Sequence, residues 1–370
     1  MKQLSILLEI SAALAIARDM PTIVKTLVRH SGALVAFDSC LVALRDADGE
    51  TYTVWRGDRR GEPPQHGEGL IPLPHGIAGW VIRTGKRVVL DGGSPPDPAI
   101  HSPGLGLADA QGIMALPLVG DHGNAFGAFL LLSQKARSRR HDELPILSVL
   151  AALIASSVRQ VQPFAGGGQG DDFVYSLARA IEAKDPYTEG HGGRVAEYAV
   201  ALGRRAGLEP AELETLFKGG FLHDVGKIGI QDMVLFKEGA LTDAEYAHMK
   251  QHPEMGSMLL QTIPASDPLI PMIRHHHERW DGKGYPDGLY RDEPCVMARI
   301  VSIADAFDAM TTTRCYRPAM PVSRGLEILT EYRGTQWDPD LIGMFVELVN
   351  RRVQETGNAR FPMAKDGLRT

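Results

Sequence analysis

The sequence predicts an α+β domain followed by an all-α domain, on three observations. Its 370 residues exceed what one hydrophobic core usually organises, so two domains is the default. Through residues 1–161, helical and strand periods alternate. After residue 171 the apolar spacing is helical almost throughout.

The first helix follows from Leu4, Leu7, Leu8, Ser11 and Ala15, which share one helical face. Lys2 and the apolar run behind it imitate a secretion signal, but Glu9 interrupts that run, so an amphipathic helix over 3–17 is expected. A second helix is expected over 21–36, with Pro21 in its first turn, where no N–H is needed. Residues 40–45 and 51–56 read as strands around the Asp-Ala-Asp-Gly turn at 46–49, a hairpin pattern. Residues 76–83 read as a helix and 87–90 as a strand, before a loop rich in Gly and Pro over 91–106. Strands over 113–119 and 125–133 flank a turn containing Asp121, Gly123 and Asn124, and a long helix over 141–161 closes the domain. No run approaches the roughly 18 apolar residues that span a bilayer, so a soluble chain without membrane contact is expected.

Residues 162–170 (QPFAGGGQG) are poor in apolar side chains and rich in glycine, as in a flexible linker. Beyond it, Phe173, Leu177 and Ile181 form one helical stripe and Val195, Ala199 and Leu202 another, stopped near Gly207. Pro210 opens a helix expected to run to Asp224, with Gly226 as its stop. Thr242 and Glu245 form a capping box. His252 precedes Pro253, which disfavours a helical His252 and puts the proline in a new first turn. Residues 299–312 are helical again.

Bulk properties narrow the function. The net charge of −6 argues against a surface that coats DNA. Cys40, Cys295 and Cys315 are odd in number and form no CxxC pair, which suits a reducing cytoplasm.

Chemistry concentrates in the helical half. Residues 275–286 (HHHERWDGKGYP) carry three consecutive histidines, costly in an ordinary core because every buried ring nitrogen needs a partner. His191, His223, Asp224, His252 and Asp305 lie within reach in sequence, and imidazole with carboxylate suits transition metals better than Mg or Ca. On a continuous helix His223 and Asp224 diverge by about 100°, so the pair can serve two ions with the aspartate bridging. Asp305 and Asp308 share a helix face, one free to ligate and the other to orient water or a lysine. Each feature alone has a bland reading as a surface or core residue.

Together, the string 223–230 (HDVGKIGI), His252–Pro253, HHERWDGKGYP and the segment 304–317 (ADAFDAMTTTRCYR) resemble the HD-GYP family of HD phosphohydrolases. The resemblance covers about 171–350 and implies an all-helical metal-dependent phosphodiesterase for the bacterial messenger cyclic di-GMP. Carried over by position, it implies metal ligands at His191, His223, Asp224, His252, His276, His277 and Asp305, with His275 a neighbour. Lys227 and Asp308 would flank the attacking water beside Asp224, and Arg314, Arg317, Lys227 and Tyr285 would face substrate. Two ions are implied, Fe or Mn first and Zn, Ni or Co as alternatives. A third is disfavoured because Tyr187 stands where some members carry a glutamate, which leaves linear pGpG as a product beside GMP. Alternatives are a non-catalytic cyclic di-GMP receptor and an HD phosphohydrolase for another cyclic dinucleotide. Residues 1–161, with the segments LPLPHGIAGWVIRTGKRVVL and MALPLVGDHGNAFGAFLLLS, resemble a GAF domain. That likeness implies a sensory module with an unidentified small ligand, a homodimer, and signalling partners of the GGDEF type.

Overall fold

Two hairpins set the N-terminal half, described by a computed structural model for residues 2–59, 62–67, 70–73, 75–91, 110–120, 124–135, 143–162, 177, 190–237, 239–263, 266–313 and 318–361. The chain divides into two units, Met1–Ala180 and Ile181–Thr370. The expected 162–170 linker, Phe173 and Ile181 lie outside the described residues, except Gln162.

In the first unit, α1 (Lys2–Ala15) and α2 (Met20–His30) precede β1 (Ser39–Arg45) and β2 (Thr51–Asp58). Next come β3 (Gln65–His66), β4 (Ile71–Pro72), α3 (Gly76–Thr84) and β5 (Val88–Asp91). The unit ends with β6 (Gly112–Val119), β7 (Ala125–Ser133) and α4 (Glu143–Val161). The second helix ends earlier than expected, tightening to a 3-10 turn at Ser31–Ala33. Its start is fixed by Asp19, whose side chain accepts the Thr22 N–H at 2.8 Å. The strands pair antiparallel in the order β3-β2-β1-β7-β6-β5, with β4 against β2.

Strand parity explains why this sheet is apolar on both sides. Leu41, Ala43, Ala115, Ala128 and Leu130 cluster with Ile77, Val81 and Ile82 of α3. The other parity, with Cys40, faces α2, where a side chain at Gly57 would collide with Val24 and Val28. Helix α4 corrects the expectation about apolar runs: by length and composition it passes for a membrane span. Most of it is instead buried within the first unit, and its Ser157 hydroxyl donates to the Leu14 carbonyl at 3.0 Å.

The described second unit contains α5 (His191–Arg205), α6 (Pro210–Leu222), a 3-10 turn (Val225–Gly229), α7 (Asp232–Leu235), α8 (Asp243–Met249) and α9 (His252–Gln261). A 3-10 turn (Asp267–Leu269), α10 (Ile270–His275), α11 (Val296–Thr311), α12 (Val322–Glu331) and α13 (Pro339–Thr356) complete it. Tyr198, Phe307 and Phe345 meet edge to face, with centroids 5.1–6.2 Å apart, and lock α5, α11 and α13 together. Helix α6 stops at Leu222, two residues short of the expected end, and α9 begins at His252 itself. Gly226 is therefore not a helix stop. A Cβ there would overlap the His252 carbonyl and the Gly256 amide, so glycine lets the turn after α6 lie directly on α9.

Candidate metal centre

Three histidines are aimed by one local device. His223 follows the end of α6, His252 follows α8, and His276 follows α10. Each puts its Nδ1 2.8 Å from a backbone carbonyl three residues back, that of Gly220, Met249 and Ile273 respectively. Carbonyls in the last turn of a helix lack intrahelical donors, so the rings satisfy them. A carbonyl only accepts, which puts a proton on each Nδ1 and leaves Nε2 as the free lone pair of the neutral ring.

Those lone pairs converge. His252 Nε2 lies 3.3 Å from His276 Nε2. With both Nδ1 atoms protonated, two neutral rings face each other with no hydrogen between them. The ring centroids of His276 and His277 are 4.1 Å apart, and those of His252 and His277 5.0 Å. Burial pushes His252 and His277 down to about 3 and His276 well below its usual value, so all three are neutral at physiological pH. A buried nest of neutral nitrogen donors needs a cation, and His252, His276 and His277 can hold one.

A second group, His191, His223 and Asp224, adjoins it. His223 Nε2 is buried without a hydrogen-bond partner, 3.3 Å from Asp224 Oδ2 and 3.8 Å from Asp305 Oδ1. His191 Nε2 lies 3.2 Å from Asp305 Oδ1. Burial works against a charged His191, but Asp305 and Asp308 together outweigh it and raise the ring to about 9. A cation in this group would displace that ring proton. Asp224 lies between the groups: Oδ2 faces His223, and Oδ1 is 3.3 Å from His252 Nε2. Lys227 Nζ sits 2.6 Å from Asp224 Oδ2. Burial alone would raise Asp224, but the Lys227 ammonium holds it well below the ordinary carboxylate value.

The structure thus brings His191, His223, Asp224, Lys227, His252, His276, His277 and Asp305 together. Arg314 and Arg317 lie outside the described residues, as does Tyr187. His275 turns away, with Nε2 2.9 Å from Asp287. Asp308, expected to flank the attacking water, packs against the Nδ1 side of the His191 ring. It is 1% exposed behind His191, with Oδ2 2.6 Å from His191 Nδ1 and its two oxygens gripped by Arg194 at 2.7 and 3.1 Å. The Thr312 hydroxyl donates to Oδ1 at 3.1 Å.

Two contributors escaped the sequence reading. Arg194, three residues after His191, shares its helix face, which was the available signal. Glu278, 6% exposed, accepts the N–H groups of Asp287 and Gly288 on Oε1, at 2.7 and 3.1 Å, and of Leu289 on Oε2 at 3.1 Å. These bonds fix the loop carrying Tyr285, whose ring lies against His277 with centroids 4.9 Å apart.

Among known proteins, the family model described as HD domain matches residues 176–341, and that described as GAF domain matches residues 17–159. Over 177 residues the chain is 36% identical to the 3'3'-cGAMP-specific phosphodiesterase 3 of Vibrio cholerae serotype O1, a stretch covering 48% of this chain and 38% of that protein. Over 167 residues it is 40% identical to the cyclic di-GMP phosphodiesterase response regulator RpfG of Xanthomonas campestris pv. campestris, 44% of each. A solved cyclic GMP-AMP specific phosphodiesterase of V. cholerae, V-cGAP3, is 30% identical over 54% of this chain and 48% of that one, with a TM-score of 0.34. The chain spans less than half the length of these two curated relatives.

Proposed function

We propose, from a chain that carries a GAF domain before an HD domain, that this protein is a metal-dependent phosphodiesterase hydrolysing cyclic di-GMP. The observation that carries the reading is the pair of adjacent donor groups with Asp224 between them. His191, His223, Asp224 and Asp305 would hold one ion, and His252, His276, His277 and the other oxygen of Asp224 a second. Fe or Mn is the first expectation, with Zn, Ni or Co also compatible with nitrogen and carboxylate donors. Bound there, two such ions supply Lewis acidity that lowers the pKa of water and neutralises charge on a phosphodiester.

The remaining roles belong to side chains. Lys227 offers a positive charge beside Asp224, placed for the phosphoryl oxygens as negative charge grows on them. Asp308 and Arg194 act as positioning residues: the carboxylate holds His191 by Nδ1, and the guanidinium holds the carboxylate. Arg314 and Arg317 supply planar forks for phosphate. Two ions without a third suit linear pGpG as an end product beside GMP. Dimerisation and ligand sensing are assigned to the GAF domain, GGDEF-type proteins to signalling contacts, and the reducing cytoplasm to the setting.

A second substrate, 3'3'-cGAMP, is favoured by the relative that is 36% identical and specific for it. The test is product formation from cyclic di-GMP and 3'3'-cGAMP, with metal content measured on the same sample. Cleavage of either supports a phosphodiesterase and identifies the preferred substrate. A fully metal-loaded protein that binds cyclic di-GMP and cleaves neither would be a receptor.

A further inference from the structure

Beside the donor groups lies a row of side chains that neither ion capture nor the Lys227–Asp224 pair uses. Tyr285 rests on His277 with the ring planes 31° apart. Lys250 Nζ stands 5.9 Å from the Tyr285 ring centroid and 5.1 Å from that of Tyr246. Lys250 follows the end of α8, and its N–H bonds the Tyr246 carbonyl at 2.9 Å, which fixes the lysine and the second tyrosine relative to each other. Tyr246 is 50% exposed, whereas Tyr285 and Lys250 are half-buried. From the interior outward the order is therefore His277, Tyr285, Lys250, Tyr246. Among the described residues Lys250 makes no ion pair, so its charge is shared only by two ring faces.

An aromatic face open to solvent stacks any nucleobase, whatever its edge. An ammonium beside it discriminates: guanine presents O6 and N7 as neighbouring acceptors, while adenine presents N7 beside an amino donor. Resting on the cyclic-dinucleotide reading, we propose that Tyr246, Lys250 and Tyr285 form a purine subsite that prefers guanine to adenine. Tyr246 supplies the open ring face, Lys250 reads the base edge, and Tyr285, backed by His277, holds the ammonium from the inner side. The subsite would place one base beside the ions and leave the phosphodiester to Lys227.

The test uses the full metal-loaded chain with cyclic di-GMP, 3'3'-cGAMP and cyclic di-AMP. Lys250→Ala should raise KM for cyclic di-GMP about tenfold, more than kcat falls, and raise it less for cyclic di-AMP, so that the preference between them narrows. Lys250→Arg, which keeps donors at the same place, should restore much of the preference. Tyr246→Ala should weaken all three substrates by a similar factor and Tyr246→Phe should restore them, with metal content unchanged throughout. A uniform rise in KM with Lys250→Ala would overturn the base reading and make the lysine a phosphate contact; an unchanged KM would make it a surface pair. Wild-type turnover checks the proposed function separately. If the loaded wild type cleaves none of the three, the phosphodiesterase reading fails, and the same ratios are then read in Kd.

Discussion

Replacing Asp308 with asparagine separates two roles for a buried carboxylate. Every group around it donates: His191 Nδ1, two nitrogens of Arg194 and the Thr312 hydroxyl. An asparagine of the same size must turn its NH2 toward at least one of these donors. It therefore loses at least one charge-assisted bond, about 1.5–3 kcal/mol. It also leaves the Arg194 guanidinium without the carboxylate that holds it, so His191 is no longer fixed. Loss of such an outer partner usually costs about 10–100-fold in metal affinity or activity, or roughly 1.4–2.7 kcal/mol, in line with the bond lost. The expectation is a metal Kd about 10–100-fold weaker, with much of kcat recovered at saturating metal. The assay strips Asp308→Asn with a chelator, titrates metal back, and follows bound metal and hydrolysis together. Normal metal affinity with a collapsed kcat would refute this placement and return Asp308 to the water.

Other expectations follow from the same geometry. Asp224→Ala removes the carboxylate between the two donor groups, so metal and hydrolysis should fall together while far-UV helicity persists; full metal occupancy with near-normal turnover would remove the bridging role. Lys227→Ala should lower kcat more than it raises KM, and the reverse split would make it a substrate clamp. Glu278→Gln can satisfy two of the three loop amides with its carbonyl but turns an NH2 toward the third, so a stability loss of about 1.5–3 kcal/mol is expected by denaturant titration. His275→Ala should be milder in metal content than His276→Ala or His277→Ala, and equal losses would mean that the triplet contributes differently from its geometry.

Much of the fold was legible because its patterns are local. The hairpins over 40–56 and 113–133 are carried by short apolar runs bounded by turn residues, a signal held within a few neighbouring positions. The strands β3 and β4 were not, since two residues carry no period. Helix α4 shows the limit of composition: burial within a sheet domain and burial in lipid select the same side chains. At the site, ligand types were readable but their second partners were not. The extension of α6 through Asp224 failed because the chain leaves the helix where Gly226 meets α9, a contact between residues far apart in sequence. Asp308 looked like a group for water because its spacing from Asp305 says only that they share a face. What lies opposite that face, His191 and Arg194, depends on how α5 packs on α11.

The carbonyls of Gly220, Met249 and Ile273 also decide when entropy is lost. Holding a mobile side chain usually costs about 0.5–1.5 kcal/mol, and a site assembled from free rings would incur that cost on capturing its ion. Here three rings are already fixed by the last turn of the helix that precedes each, so the loss falls on folding and capture begins from an ordered set of donors. The affinity gained is matched by a less stable metal-free chain, in which converging lone pairs stay buried and unanswered. Ion supply would then govern how long the folded protein persists as well as whether it reacts.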